Sequence, residues 1–496
     1  MAHVLVVGGG VVGLSTAWFL RERGEEVTVI DAGRAGMGAS YGNAGWLTPG
    51  ISTPLPDPAI LAYGFKAVAS PSSPVYMPLS FDPELWGFLL RFLRNSTSSR
   101  WMRAMRSLIG INVHAFDAFD ALARGGSDGV GAVEVPTHVP GRDGASPFVA
   151  AYTDVRHRSG LQHEFDQIDA AGQPVSYALL DGDEVRELVP GVSDAITAGI
   201  RLDDTRFIDP PRYVAALREA VLARGVRIVE DTEVLEVADD GARVRLSLRG
   251  GTGGGRADSR PPRHESAGVR VDDDAPSSGE RVGTSSSGRA SSSGTPSAGG
   301  TSSAGATSSG GTAAAEGPEV LEGDSAVIAT GALLGRLARG LGVRTTVRAG
   351  RGYSFSVPAD PMPTGPVYFP FERIACTPLG ERFRVAGMME FRRSVAPFDP
   401  RRVAAIVRAA TPLFRDLPSE GAGIDLTDRE DEWVGSRPCT PDGLPLIGRT
   451  RSPRVFVAGG HGMWGVTLGP ATGRLLAEQI TTGETPAALE PFSPLR

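Results

Sequence analysis

The chain has 496 residues, 41% of them hydrophobic, which is enough for more than one packed core. Its 57 acidic residues outnumber 50 basic ones, for a net charge of −7, and this balance argues against a nucleic-acid partner. Cys376 and Cys439 are too few for a disulfide framework and suit a reducing cytosol, no Cys/His cluster has metal-ligand spacing, and no apolar run is long enough to span a bilayer.

His3 to Val7 is a short apolar run rich in β-branched residues, as a buried strand should be. Gly8-Gly9-Gly10-Val11-Val12-Gly13 follows at once, then Leu14, Ala17, Trp18 and Leu20 recur at helical spacing, and Gly24 ends the helix. Val27 to Ile30 reads as a second buried strand, closed by Asp31. Strand, glycine turn, helix, strand and acid together make the dinucleotide-binding fingerprint. Gly8 permits the tight turn, Gly10 lets a pyrophosphate approach the helix N-terminus, and Gly13 lets helix and strand pack closely. Asp31 would accept from ribose hydroxyls. The fingerprint does not separate FAD from NAD. The apolar N-terminus lacks a basic flank and is broken by glycines, so it does not read as a signal peptide.

Gly38 to Gly45, containing Ser40, Asn43 and Ala44, is small, polar and flexible, a segment suited to lying against a ligand. Residues 54–83 are broken by prolines. A helical stretch then runs through Trp86, Phe88, Leu89, Phe92 and Leu93, with Arg91, Arg94, Arg100, Arg103 and Arg106 interleaved. It reads first as a domain helix with solvated arginines, and alternatively as a basic face for peripheral contact with a membrane. Residues 130–205 read as short strands and turns. Pro211 to Arg224 reads as a helix, and Val226–Val229, Glu233–Val237 and Arg243–Leu248 as strands.

From 250 to 317 the chain is Gly, Ser, Thr, Ala and charge, and the expectation is disorder, because too little apolar surface is available to offset the ordering entropy. The strands Glu319–Glu322 and Ser325–Ala329 then resume, so the insertion occupies what would otherwise be a hairpin turn. Further strands are expected at Tyr353–Val357, Val367–Phe371 and Phe383–Ala386, and a helix at Val403–Leu413. Gly435 to Gly448 reads as a turn-rich loop carrying Arg437, and Val455–Ala458 as a buried strand. A final helix is expected to start at Pro470, pointing its positive end at the loop Gly460-His461-Gly462 through Val466 and Thr467.

Four stretches, Gly8 to Asp31, Ser40 to Gly45, Ala329-Thr330-Gly331 and Arg437-Pro438 through Gly462, resemble the FAD-dependent amino-acid oxidoreductases of the D-amino acid oxidase superfamily. The bacterial D-amino acid dehydrogenases look most similar, with glycine and sarcosine oxidases as near relatives. The resemblance implies an α/β fold: a Rossmann-like FAD-binding domain from residues 1–52, 205–249, 318–345 and 435–496, and an α+β substrate domain on an antiparallel sheet from 53–204 and 346–434. It implies FAD as cofactor, with Val234 by the adenine, Ser40, Asn43, Ala44 and Gly45 by the phosphates and flavin, Thr330 and Gly331 closing on the cofactor, and Gly460 to Thr467 bordering the isoalloxazine.

Arg437 matches the arginine that binds the substrate carboxylate in glycine-oxidase-like members, and its planar fork pairs bidentately with a carboxylate. Tyr368 falls near a tyrosine that helps hold substrate, Tyr353 lies in a comparable strand, and both also fit a core. His461 is expected beside the flavin without acting as a base. The implied reaction is oxidative deamination of a small D-amino acid by hydride transfer to flavin N5, with electrons passed to a quinone or other carrier. An oxygen-using glycine or sarcosine oxidase is the enzymatic alternative, and a non-catalytic flavin-binding protein is the alternative of another class. The expected location is cytoplasmic or peripheral at the inner face of the membrane.

Overall fold

The computed structural model describes residues 1–58, 75–76, 82–142, 144–250, 319–416 and 423–496. The low-complexity stretch beyond Gly250, with its expected disorder, and most of the proline-rich stretch lie outside the described residues. The first large sheet has six strands in the order Leu446–Arg449, Val455–Gly459, Ser325–Ile328, His3–Val7, Glu26–Ile30 and Arg227–Val229. All pairings are parallel except that of Leu446–Arg449. Parallel strands are covered on both faces, which explains the unbroken apolar run of the first strand. Val4 and Val6 pack with Leu14, Leu217 and Leu476 from the helices Val11–Glu22, Pro210–Ala223 and Gly465–Thr482. Leu5 and Val7 point the other way and pack with Val234, Val237 and Leu246.

Those last residues belong to a three-stranded antiparallel sheet of Thr232–Asp239, Val244–Gly250 and Glu319–Gly323. Leu248 pairs with Glu319, so the strands on either side of the insertion are hairpin partners, as expected from the sequence.

The second large sheet has nine strands and is mainly antiparallel. Its order runs Glu430–Cys439, Arg348–Val357, Arg382–Phe391, Ile374–Leu379, Val367–Phe369, Phe148–Tyr152, Ala198–Leu202 and Tyr177–Asp181, with Val75–Tyr76 added against Arg382–Phe391. The fold is therefore mixed α/β with a separate antiparallel sheet.

Four local expectations are corrected. Gly435 to Gly448 is not one loop: Glu430–Cys439 is an edge strand running past the boundary expected at Val434, and Leu446–Arg449 is another strand. Pro438 lacks a donor, and an edge strand tolerates it because one side of its ladder is unpaired. Residues 130–205 contain the helices Arg158–Ala171 and Gly182–Leu188. Leu161, Phe165 and Ile168 recur there at helical spacing, and the intervening polar residues hid the pattern. The arginine-bearing stretch is two helices, Pro83–Asn95 and Ser98–Asn112, the first capped by Asp82, which accepts from Glu84 and Leu85 N–H. The C-terminal helix starts at Gly465, with Pro470 inside it, because packing of Val466 and Leu468 into the core outweighs one lost backbone hydrogen bond.

Candidate active site

The glycine turn forms a cradle at the C-terminal ends of the parallel strands. Gly8 has φ +109°, and a Cβ there would lie 2.5 Å from the Ala329 carbonyl oxygen. Ala329 and the Thr330 backbone nitrogen thereby close against the turn, and Gly331, φ +55°, follows them. A Cβ on Gly13 would collide with the Gly8 carbonyl, so Gly13 is required by the strand–helix packing itself. A Cβ on Gly10 would meet only Ser40 Oγ, at 3.8 Å, and otherwise open space before the helix N-terminus. Val11 N–H donates to Ser40 Oγ at 3.3 Å, and Val12 and Gly13 follow in the first helical turn. Gly9 was not singled out from the sequence, yet its N–H donates to Asp31 Oδ2 at 2.6 Å. Gly33 N–H donates to Asp31 Oδ1 at 2.9 Å, and burial raises the Asp31 pKa. Thr232 N–H donates to the Asp31 carbonyl, which brings buried Val234 within two residues of the acid.

The segment Ser40 to Gly45 runs from this cradle to a cavity of about 460 Å³ walled by the nine-stranded sheet and the helices Pro83–Asn95 and Arg158–Ala171, into which Asn43 and Ala44 face. Asn43 Oδ1 accepts from Gly45 N–H at 2.8 Å, and Gly45 adopts φ +79°. The second sheet grips the carbonyls of this segment: Ser354 Oγ donates to Gly42 at 3.0 Å, Thr377 Oγ1 to Ala44 at 2.6 Å and Arg384 to Tyr41 at 3.1 Å. Trp433 fills the space beside Gly42 and Gly435, where any Cβ would strike its ring. None of Ser354, Thr377, Arg384 or Trp433 carried a local sequence signal.

Arg437 lies in the cavity wall. Its Nη1 donates to the Met388 carbonyl at 2.8 Å, and Met388 holds φ +66°, a left-handed conformation that turns this carbonyl to the guanidinium. Gly352 lies directly beneath the guanidinium, where a Cβ would collide with it. Burial lowers the Arg437 pKa, and among the described residues no carboxylate pairs with it. It is a desolvated cation whose remaining surface faces the cavity.

Tyr368 also lines the cavity, edge-on to Trp46 with ring centroids 5.3 Å apart. Tyr353 borders it too, but its hydroxyl turns away and donates to Glu390 Oε2 at 2.9 Å. Glu390 is fully buried beside Arg351 and Arg402, so Tyr353 is bound into a structural charge network rather than aimed at the cavity.

The loop from Gly460, φ +76°, to Gly462, φ +56°, sits under the start of the C-terminal helix. Gly462 N–H donates to the Pro438 carbonyl, joining this loop to the Arg437 strand. Buried His461 pairs through Nε2 with Thr472 Oγ1 at 2.8 Å, and burial pushes its pKa down to about 4. It is neutral at physiological pH. Val466 is buried in the first helical turn, and Thr467 Oγ1 donates to the Trp46 carbonyl at 3.0 Å while lining the cavity.

A family model described as FAD dependent oxidoreductase (DAO) matches residues 3–264 and 305–479. The chain belongs to this family of FAD-dependent oxidoreductases. It is 28% identical to a D-amino acid dehydrogenase of Methylobacterium sp. (strain 4-46), over 100% of this chain and 99% of that one. It is 26% identical to a D-amino acid dehydrogenase of Azorhizobium caulinodans, over 97% and 96% of the two chains. Among solved structures it is similar to glycine oxidase from Geobacillus kaustophilus, with TM-score 0.61 and 20% identity over 100% and 99% of the two chains. It is likewise similar to L-proline dehydrogenase from P. horikoshii, with TM-score 0.60 and 15% identity over 100% and 97%. At these identities the structural likeness speaks to fold alone.

The cradle of this FAD-dependent oxidoreductase fits its cofactor. Gly10 leaves open the side that a Cβ would fill, and as the N-cap it brings no side chain of its own to the first helical turn, where Ser40 Oγ takes only Val11 N–H. Thr330 Oγ1 is buried and has no hydrogen-bond partner among the described residues, so a polar acceptor or donor is missing beside the turn. Among the described residues no helix is long and apolar enough to cross a membrane, and no group of His, Cys, Asp or Glu could hold a metal ion.

Proposed function

We propose that this oxidoreductase converts a small D-amino acid, by way of the imino acid, to the 2-oxo acid and ammonia, and passes the electrons to a quinone or other carrier. The observation that carries the reading is Arg437, a buried cation in the cavity wall without a carboxylate partner among the described residues. A substrate carboxylate would complete it bidentately. The cofactor is held in this reading by Gly8, Gly10, Val11, Val12 and Gly13 at the pyrophosphate and by Asp31 at the ribose. Val234 lies at the adenine, and Ser40 to Gly45, Thr330, Gly331, Gly460 to Gly462, Val466 and Thr467 follow the rest. The parallel sheet then forms the cofactor domain and the nine-stranded sheet the substrate domain.

Bound FAD supplies the hydride acceptor for the substrate Cα–H. The chain's own residues do the positioning. Arg437 fixes the carboxylate, Tyr368 and Trp46 bound the substrate, and apolar residues such as Phe148 and Leu202 exclude water. His461, neutral and engaged by Thr472, is not needed as a base. Water then hydrolyses the imino acid. Trp86, Leu90 and Leu93 line the same cavity and are exposed on a helix that also carries Arg91 and Arg94. An apolar carrier near an anionic surface suits that face better than oxygen requires.

An anaerobic panel of D- and L-amino acids, glycine and sarcosine, followed by flavin absorbance, tests the reading. Bleaching by D-amino acids, with reoxidation faster by a quinone analogue than by oxygen, is expected. Bleaching by glycine or sarcosine with stoichiometric hydrogen peroxide would move the protein to the oxidase branch, and no bleaching at all would leave a flavin-binding scaffold.

A further inference from the structure

Arg437 rests on a β-bulge. In the pairing of Arg348–Val357 with Arg382–Phe391, Arg351 stands opposite Glu390 and Tyr353 opposite Gly387. Met388 and Met389 therefore share the single residue Gly352 as their partner, the one-residue excess that defines a bulge. Both supports of Arg437 come from this spot. The Met388 carbonyl accepts from Nη1, and Gly352 leaves room for the guanidinium, whose Nη1 would lie 2.3 Å from a Cβ there. Arg437 itself pairs with Gly350 on the neighbouring strand, so its guanidinium reaches along that strand to the bulge.

The left-handed backbone of Met388 is disfavoured for a residue with a Cβ and persists only where the surroundings over-determine it. The side chains on either side of Gly352 meet at Glu390. Its Oε2 accepts from the Tyr353 hydroxyl at 2.9 Å and from Arg351 Nη1 at 3.4 Å, so one oxygen ties both flanks of the bulge. Arg351 Nη2 also donates to the Pro397 carbonyl at 2.9 Å. Glu390 Oε1 lies 3.5 Å from Arg402 Nε and 3.6 Å from Arg392 Nη1. Burial, then the Glu390 charge, raises the Tyr353 pKa, so the phenol keeps its proton and donates. Replacing a buried ion pair by apolar packing is often neutral for stability, and fixing register is the best-attested use of one. Here the register is that of the bulge.

Resting on the reading that Arg437 takes the substrate carboxylate, we propose that Glu390 is a positioning residue for that arginine. Fully buried, it acts through the chain. By holding Arg351 and Tyr353 across Gly352 it keeps the bulge closed, the Met388 carbonyl on Nη1 and the glycine floor under the guanidinium. The guanidinium is then oriented by the protein on one side and left free to meet a carboxylate bidentately on the other. Without Glu390 the bulge relaxes, and Arg437 keeps its charge but loses its orientation.

The test measures by calorimetry how well the FAD-loaded protein tells hexanoate from hexanamide, in a double-mutant cycle. The parent should prefer the carboxylate, and Arg437→Ala should erase the preference. Glu390→Gln should cut it by about tenfold, within the range for coupled neighbours, while hexanamide affinity and flavin content stay at the parent's level. In the Arg437→Ala background Glu390→Gln should leave hexanoate affinity unchanged, whereas a merely structural residue would weaken both ligands in either background. Tyr353→Phe removes one tether and leaves Arg351 paired. It should show the same pattern at about threefold, and it carries the test if Glu390→Gln does not fold. An undiminished preference in folded Glu390→Gln or, failing that, in Tyr353→Phe, would overturn the proposal, as would additive losses in the double variant. If Arg437→Ala keeps the preference, this proposal and the carboxylate role of Arg437 fall together. If Arg437→Ala alone removes it, Arg437 stands and the role of Glu390 falls.

Discussion

The glycine cradle and the cavity wall are built on opposite principles. The cradle is contiguous in sequence and recognises through backbone: Gly8, Gly10 and Gly13 remove side chains, and Gly9 N–H holds Asp31. The wall is assembled from distant segments and recognises through side chains, with Arg437, Glu164 and Arg373 arriving from an edge strand, a helix and a turn. A backbone site tolerates almost no substitution and leaves a local signature. A side-chain site can change its chemistry residue by residue and leaves little trace in any one stretch.

The sharpest way to break this contrast is within the cradle. Gly13→Val should prevent folding, since its Cβ has no room against the Gly8 carbonyl, and soluble yield with circular dichroism would report it. Gly10→Val should give folded protein without flavin, because its Cβ faces open space that the pyrophosphate requires. A yellow Gly10→Val protein would falsify the cradle assignment.

Arg437→Ala should keep FAD and lose about 2–5 kcal/mol of kcat/KM, the range for truncating one partner of a buried charge pair. Arg437→Lys should recover only part of it, as a point charge cannot reproduce the fork. Equal kcat/KM for parent and alanine variant removes Arg437 from the site.

His461 gives a smaller, pH-dependent effect. Its folded pKa, about 4, is below the ordinary value of 6.5. The folded state therefore takes up its proton later than the unfolded state as pH falls. Its contribution to stability is intact above pH 6.5 and declines as pH drops from there toward 4, at about 1.4 kcal/mol per unit. His461→Asn should flatten the acid side of the stability curve over that window, read by denaturant melts at several pH values.

The smallest effect is expected from replacing residues 251–318 by a short turn. Leu248 and Glu319 already pair in register, so flavin content and turnover should stay at the parent's level. A folded deletion variant with little activity would give the segment a role in the site.

The same contrast explains what the sequence made legible. The turn after Val7, Asp31 and the hairpin around the insertion were readable because each depends on neighbours in the chain. Arg437 does lie in the cavity wall, but its strand was not readable: Gly435 and Pro438 mimic a loop, and only its place at the sheet edge makes a strand of it. Tyr353 lines the cavity, but nothing local announces Glu390, 37 residues away, which takes its hydroxyl. Arg384, Ser354 and Thr377 hold carbonyls more than 300 residues distant, a task many polar residues can perform, so their types carry no message. Glu164 sits in a helix that was read as strands and turns, and its place in the cavity wall, where it accepts from Thr53, depends on that helix.

The order of the parallel sheet has a consequence for biosynthesis. His3–Val7 is flanked by Glu26–Ile30 on one side and by Ser325–Ile328 on the other, and Val455–Gly459 lies one strand further out. At roughly 5–20 residues per second, on the order of 15–60 s pass between translation of the first strand and that of its second neighbour. Throughout that interval the first strand has one unpaired apolar edge, and the helix that covers its face, Gly465–Thr482, is translated later still, well after Ser325–Ile328. The centre of this sheet therefore closes late, slowed because its key pairings join distant parts of the chain.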